Sequence, residues 1–472
     1  MLPILPDEDK GHNMSGQTDD WQGRAPCVMM ARDASRAGHE RAVEKKMSVT
    51  QLLLDFAADS IRLPAAARAA ALMLLDDTLA MGAAGSTAPG ADAVLAAARR
   101  WGAGEAVPLL GREARLPAAA AAFVNGFQIH CLEWDAVHEP AVVHAMSVVT
   151  AAVHAVSHDR RAPPEAALEA LVAGVEIACL LGVAARSPLK FFRPATAGLI
   201  GAALACARLA GLPRARFGDV LGLAHAQLAG TMQAHVEGSI VLPLQVANAA
   251  RAAVAVLDMA EAGLTGPQDA LLGPFGYFPL FEDGDPSELI QRLGTRWMIE
   301  EISIKPWPSG RASHATLSAL SGLSASDVME IEARVPQLIA RLVGRPWIEG
   351  MTAAYARLCL PFLAALMLTD AKIDPRRFTP ENFADPALRA LGRRLTVIVD
   401  DNPDPNALAP QTFALTMGDG TRRTLLVPAT LGSPANPLTA AQHAEKLAFA
   451  RSLALVRQAP PPSPLALLTG LA

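Results

Sequence analysis

The stretch that decides the fold runs from Ala121 to Thr150 and reads AAFVNGFQIHCLEWDAVHEPAVVHAMSVVT. An alanine-rich segment, typical of a helix, leads into a short region dense in acids and histidines, after which an apolar helical pattern resumes. The ionisable residues of that region are His130, Glu133, Asp135, His138, Glu139 and His144. Such side chains between two hydrophobic helices are costly unless they are solvated, paired or used. The stretch therefore predicts two helices joined either by a solvated loop or by a functional site.

Working outward, alanine-rich helical patterns fill the chain from Ser48 to about residue 273. Beyond Gly273, IEARVPQLIARLVG and RRLTVIVDD alternate as strands do, and TFALTMGDGTRRTLLVPA predicts a hairpin around its Gly-Asp-Gly turn. A last helical pattern follows GSPANP and suggests a return to the first domain. We predict a mainly α fold, with a discontinuous all-helical domain (47–273 plus 430–472) and an inserted smaller α+β lid domain (274–429). Residues 1–46 are predicted to be a disordered extension, and Met47 looks like the natural beginning.

Composition narrows the function classes. A net charge of −5 and a pI near 6.1 argue against a nucleic-acid partner, because phosphate binding needs a basic face. With a mean hydropathy of +0.25, no apolar run reaches the roughly 18–20 residues of a membrane span without charges or helix breakers. The five cysteines are scattered and form no C-x-x-C pair, so neither a metal site nor a cluster is expected, and a reducing cytoplasm fits best.

The second chemical motif is KPWPSGRASH, from Lys305 to His314. Its two prolines fix the backbone and can hold Lys305, Ser309, Arg311 and His314 in a defined arc. A lysine and an arginine beside a histidine suit a substrate with several carboxylates, since the cations orient it while the imidazole exchanges protons. The alternative is a rigid surface turn with solvated charges.

Together these motifs resemble the MmgE/PrpD family, which includes 2-methylcitrate dehydratases, cis-aconitate decarboxylases and iminodisuccinate epimerases. AAFVNG, the acid–aromatic–acid triplet and the late histidine match its core, and KPWPSGRASH is similar to its K-P-Y-P-S-C-R-x-x-H. The resemblance implies a helical domain, a smaller lid and an active site in the cleft between them. It also implies a homodimer and chemistry that needs no cofactor or metal. Several positions differ from the family. Arg193 stands where it generally has a histidine, Leu242 where it commonly has a lysine, and Glu133 and Ala136 where its acidic motif D-x-D-D usually has aspartates.

From this resemblance we expect a cofactor-independent lyase, a dehydratase or decarboxylase, acting on a small di- or tricarboxylate such as 2-methylcitrate or cis-aconitate. The expected catalytic residues are His144, His314, Asp135 and Glu133. The expected substrate-binding residues are Lys305, Arg311, Arg193, Ser309 and His138. Two alternatives stay open: an epimerase of an imino- or amino-dicarboxylate, and a catalytically silent paralogue that binds a carboxylate or a partner.

Overall fold

The computed structural model describes residues 48–404, 406–456 and 463–471. The predicted extension at 1–46 lies outside these residues. Helices dominate the first half, where a capping box of Ser48 and Gln51 starts α1. The helices of this half are α1 (Val49–Ala58), α2 (Ala65–Ala84), α3 (Ala91–Ala98), α4 (Ala118–His130), α5 (Ala145–Arg160), α6 (Pro164–Val183), α7 (Arg193–Leu209), α8 (Phe217–His225), α9 (Gln233–Glu237) and α10 (Val241–Glu261). Two short strands, β1 (Val107–Pro108) and β2 (Arg115–Leu116), pair between α3 and α4.

The core of this helical region is formed by α4, α5, α6, α7 and α10, which pack against one another. Small residues allow these helices to approach one another most closely. A Cβ added at Gly201 of α7 would lie 2.2 Å from the carbonyl oxygen of Gly174 in α6. The two backbones touch at that point, so glycine is required there.

The second half is mixed. Its helices are α11 (His314–Leu320), α12 (Gln337–Val343), α13 (Ala353–Ala356), α14 (Leu360–Asp370), α15 (Pro380–Ala384) and α16 (Pro386–Gly392). A four-stranded sheet has the order β4–β3–β5–β6, formed by β3 (Val328–Val335), β4 (Leu395–Val399), β5 (Gln411–Met417) and β6 (Arg422–Val427). Strand β3 is parallel to β4 and antiparallel to β5, and β5–β6 is the predicted hairpin. The predicted fold class, a large helical region with a smaller α+β region, is confirmed.

One local prediction was wrong. The segment after Val335 is not a strand but helix α12, which follows Pro336. Leu338, Ile339 and Val343 are its buried residues, and their spacing of one and four residues places them on one helical face. Proline ends the strand because it cannot donate to the ladder, and its fixed φ favours a helix start.

The chain then returns to the helical region through α17 (Ala440–Ser452), followed by α18 (Pro464–Thr469). Helix α17 packs on α2, and Lys446 Nζ lies 2.6 Å from Asp77 Oδ1 while Arg451 bonds Asp76. Both acids of α2 are therefore paired across this helix contact, which is a structural role. The domain boundaries given above stay a prediction.

By length and composition alone, α6 and α10 could each cross a membrane. In the folded protein, 83% of the apolar 18-residue segment of α6 and 61% of that of α10 are buried. Core helices give the same signal, so it carries little weight for a membrane location.

Candidate active site

The acid- and histidine-rich stretch lies between two helix ends. Helix α4 ends at His130, and His144 is the N-cap residue of α5. Glu133 and Val142, between them, have φ of 53° and 52°. These are left-handed conformations that non-glycine residues rarely adopt, least of all a β-branched one, and such strain concentrates at functional sites.

A short backbone bridge brings the second motif to the first. Val137 N donates to Ser303 O at 3.0 Å, and Ser303 N donates to Val137 O at 2.9 Å. Trp134 Nε1 also donates to Pro306 O at 3.1 Å. These contacts fix Lys305 beside the acids of the first stretch.

Four ionisable side chains predicted from the sequence thus meet in one buried cluster, together with His130. Asp135 Oδ2 lies 2.9 Å from His130 Nδ1 and 3.0 Å from His144 Nδ1, and it accepts a hydrogen bond from Ser147 Oγ. Lys305 Nζ lies 3.4 Å from Glu133 Oε2 and 3.8 Å from Asp135 Oδ1. The side chains of His130, Asp135 and Lys305 are fully buried, whereas His144 and Glu133 are 13% and 12% exposed. The last two are therefore the groups a ligand can reach.

The pKa values of the two imidazoles are shifted in opposite directions. Burial lowers the pKa of His144, and the nearby Asp135 does not reverse this, so the ring is neutral near pH 7. Burial would also lower the pKa of His130, but the carboxylates of Asp135 and Glu133 outweigh it and raise that pKa. Burial opposes ionisation of Asp135, yet His130, His144 and Lys305 together hold its pKa well below the usual value. A neutral histidine beside an ionised aspartate is the arrangement of a general base.

A small cavity of about 80 Å³ adjoins this cluster. Glu133 and His144 form part of its wall, together with Arg193, Arg311 and His235. The other wall residues are glycine, alanine and large apolar side chains from several helices and loops: Val137, Val142, Leu189, Phe192, Met232, Leu242, Gly310, Ala312, Leu342, Val343, Leu358 and Leu408. A larger open cleft of about 390 Å³ is lined by Trp134, Trp307, Lys446 and Phe449 among others. We take the smaller cavity as the candidate site because it contains the neutral histidine.

Both wall arginines, predicted to bind substrate, are paired within the protein. Arg193 Nε and Nη2 donate to Glu282 at 3.0 and 3.2 Å, and Nη1 donates to Ala141 O at 3.0 Å. Arg311 Nε and Nη2 donate to Glu139 Oε1 at 3.0 and 2.8 Å, and Nη1 donates to Leu431 O at 2.7 Å. Every nitrogen of both guanidiniums thus already has an acceptor.

Three other predicted site residues are not in the wall of this cavity, within the part of the chain that the structure describes. His314 is fully buried behind the Trp307 ring, with Nε2 3.3 Å from Ser309 O, and burial holds its pKa well below 6.5. Ser309 Oγ is 2.9 Å from Ser313 Oγ. His138 Nδ1 accepts from Ala141 N at 3.1 Å. All three stabilise local turns in this structure.

Sequence reasoning did not select His130 as a site residue, nor Glu282 and Glu139 as partners of the arginines. His130 could have been selected, since it is a polar residue at the end of an apolar helix in the same stretch. Glu282 gives no such signal: it is 89 residues from Arg193, in a segment without a regular pattern.

His130, Asp135 and His144 also bring ligand atoms within 4.8 Å of one another, close enough to be considered as a metal site. His130 Nδ1 and Asp135 Oδ2 are hydrogen-bonded at 2.9 Å, and His144 Nδ1 lies 3.0 Å from the same oxygen. Ligand atoms that share an ion at about 2.0–2.2 Å also lie about 3 Å apart, so these separations fit a hydrogen-bonded cluster and a metal site alike.

The chain is similar to known proteins along most of its length. Residues 53–290 match the MmgE/PrpD N-terminal domain, and residues 307–455 match the MmgE/PrpD C-terminal domain. The chain is 26% identical over 327 residues to the human cis-aconitate decarboxylase, covering 65% of this chain and 67% of the relative. It is 24% identical over 330 residues to the mouse cis-aconitate decarboxylase, covering 65% and 66%. A cis-aconitate decarboxylase-like protein of Aspergillus oryzae is 28% identical over 269 residues, covering 53% and 56%. The match thus spans about two thirds of the mammalian relatives.

Proposed function

Since the chain belongs to the MmgE/PrpD family, we propose that it is a cofactor-independent lyase that breaks a bond next to a carboxylate of a small organic acid. The two mammalian relatives are named as cis-aconitate decarboxylases, which makes small di- and tricarboxylates the first substrates to test. The predicted homodimer and cytoplasmic location belong to the same proposal.

The observation that carries the proposal is the neutral His144 in the cavity wall, backed by an ionised and buried Asp135. His144 Nδ1 lies 3.0 Å from Asp135 Oδ2. In the tautomer that carries its proton on Nδ1, Nε2 has a lone pair that can remove a proton from a carbon next to a carboxylate. The electron pair left on that carbon then forms a double bond. In a dehydration it expels hydroxide, which leaves as water with the proton that His144 has removed. In a decarboxylation the electron pair comes from the carbon–carbon bond that breaks as carbon dioxide leaves, and the carbon takes up a solvent proton that passes to it through His144.

Two features of the site stabilise the negative charge that develops. His144 stands at the N-cap position of α5, where the free backbone N–H groups carry partial positive charge. Lys305 lies behind Glu133 and Asp135, on a backbone fixed by two prolines, and offsets part of their negative charge. Fixed charges and dipoles of this kind need no reorganisation during the reaction and are the main source of stabilisation in such sites.

The test is an assay of the purified protein in deuterated water with citrate, 2-methylcitrate, cis-aconitate and iminodisuccinate, followed by NMR. A lyase gives net product. An epimerase incorporates deuterium and inverts a centre without losing a group, and a silent paralogue binds an acid with neither result.

The role of His144 is tested with His144→Gln, which keeps the approximate shape but cannot accept a proton at neutral pH. We expect a loss of at least 100-fold in kcat, within the range for a general base. The matched control is His225→Gln, which changes a half-buried histidine outside the cavity wall. Equal activity of both variants would refute the proposed mechanism.

A further inference from the structure

The charges around the cavity do not suit a substrate with three carboxylates. Each wall arginine already faces a carboxylate, Glu282 for Arg193 and Glu139 for Arg311. A substrate carboxylate would have to displace these acids, and the side chain of Glu282 is only 2% exposed. Displacing it would leave a buried charge unpaired, which is strongly unfavourable.

The inner cluster offers no surplus positive charge either. Lys305 Nζ lies 3.4 Å from Glu133 Oε2 and 3.8 Å from Asp135 Oδ1, so this ammonium group already faces two acids. Glu133 is moreover the member that reaches the cavity, and it repels an approaching anion.

Most of the remaining wall is apolar. Met232, Leu242, Leu342, Val343 and Leu358 are among the side chains that face the space. An alkyl group that packs there gains binding free energy because it leaves water. A carboxylate placed there loses its hydration and finds no partner, which costs free energy.

Arg345 lies behind the wall and is not among the described residues that line the cavity. Its Nη2 donates to the carbonyl oxygen of His235, a wall residue, at 2.8 Å, and its guanidinium carbon lies 4.8 Å from the centre of the Tyr355 ring. This arginine therefore does not add a cation to the cavity wall.

We propose that the substrate is a compact acid with one or two carboxylates and an alkyl substituent. The alkyl group packs against the apolar wall that Met232 and Leu242 help to form. This rests on the proposed function, because it names the substrate class of the same site.

The test uses three acids with the same carbon skeleton and measures their dissociation constants by calorimetry. They are cis-aconitate, 2-ethylmaleate and (Z)-2-ethylbut-2-enoate, in which methyl groups replace one and then two carboxylates. We expect 2-ethylmaleate to bind at least tenfold more tightly than cis-aconitate. Equal or tighter binding of cis-aconitate, or no binding of any of the three, would overturn the proposal.

A wall variant tests the physical reason. Met232→Lys keeps an unbranched side chain of similar length and adds a cation to the half-buried wall. We expect it to raise the affinity for cis-aconitate at least tenfold and to reverse the preference. The matched control, Leu264→Lys, adds the same charge at a position that is 51% exposed and should leave the ratio unchanged. If both variants leave the ratio unchanged, the apolar wall does not set the preference.

The outcomes separate this proposal from the proposed function. If cis-aconitate binds most tightly and is turned over, the lyase proposal holds and the proposed substrate class is wrong. If 2-ethylmaleate binds more tightly but gives no deuterium exchange and no product, the substrate class holds and the lyase proposal is wrong.

Discussion

Replacing Arg193 with leucine tests whether this arginine stabilises the fold or binds substrate. Its side chain is 1% exposed and that of Glu282 is 2% exposed, and two nitrogens of the guanidinium face two oxygens of the carboxylate at 3.0 and 3.2 Å. Without Arg193 the carboxylate of Glu282 stays buried and unpaired. Removing one partner of a buried pair costs about 3–5 kcal/mol. For a fold with a typical stability of about 5–15 kcal/mol, that is about a fifth or more of the total.

The assay is chemical denaturation followed by circular dichroism, in which the midpoint falls while the slope stays constant. The double variant Arg193→Leu/Glu282→Leu should recover most of the loss, because it leaves no buried charge unpaired. The matched control is the surface pair of Arg160 and Glu261, which has the same two-bond geometry at 2.8 and 2.7 Å with side chains 36% and 32% exposed. Arg160→Leu should cost less than about 1 kcal/mol. If Arg193→Leu costs no more than the control and instead raises KM, Arg193 binds substrate and the reasoning above fails.

Three further predictions concern the interior and pH. Glu176 is fully buried and accepts hydrogen bonds from Met298 N and Ile299 N, and burial raises its pKa to about 7. Because the folded state then holds a proton that the unfolded chain releases near pH 4.5, the free energy of unfolding should fall by about 3 kcal/mol as pH rises from 4.5 to 7. Glu176→Gln should remove this pH dependence, measured by denaturation at several pH values. Gly201→Ala should cost about 1–3 kcal/mol, measured the same way, because the added Cβ would lie 2.2 Å from a backbone oxygen of α6. The kcat/KM of the wild type should rise with pH through a pKa below 6.5, as His144 loses its proton, and His144→Gln should lack this acidic limb.

Much of the fold and part of the site could be predicted because the signals are local. Alanine-rich patterns and a Gly-Asp-Gly turn indicate helices and a hairpin from neighbouring residues alone. The meeting of Glu133, Asp135, His144 and Lys305 followed from two motifs, and the bridge between Val137 and Ser303 explains it physically.

The partners of the arginines could not be predicted in this way. Whether Arg193 clamps a substrate or an internal acid depends on where Glu282 lies, and only the tertiary packing of a segment 89 residues away decides that. The position of His314 is a similar case. Its motif fixes the turn, but the side of the turn on which the ring packs is set by Trp307 and Ser309.

The proton-transfer groups and the cavity wall have separate structural supports. His130 and His144 are held by the ends of α4 and α5, and Lys305 by the backbone bridge to Ser303. Much of the wall instead comes from residues on or beside α7, α9, α10 and α12, outside that bridge. The wall can therefore change its charge without moving the base or its aspartate. Substitutions such as Met232→Lys should accordingly alter KM and the choice of acid while leaving the pH profile of kcat in place. A wall variant that shifted that profile would show that the two parts are coupled.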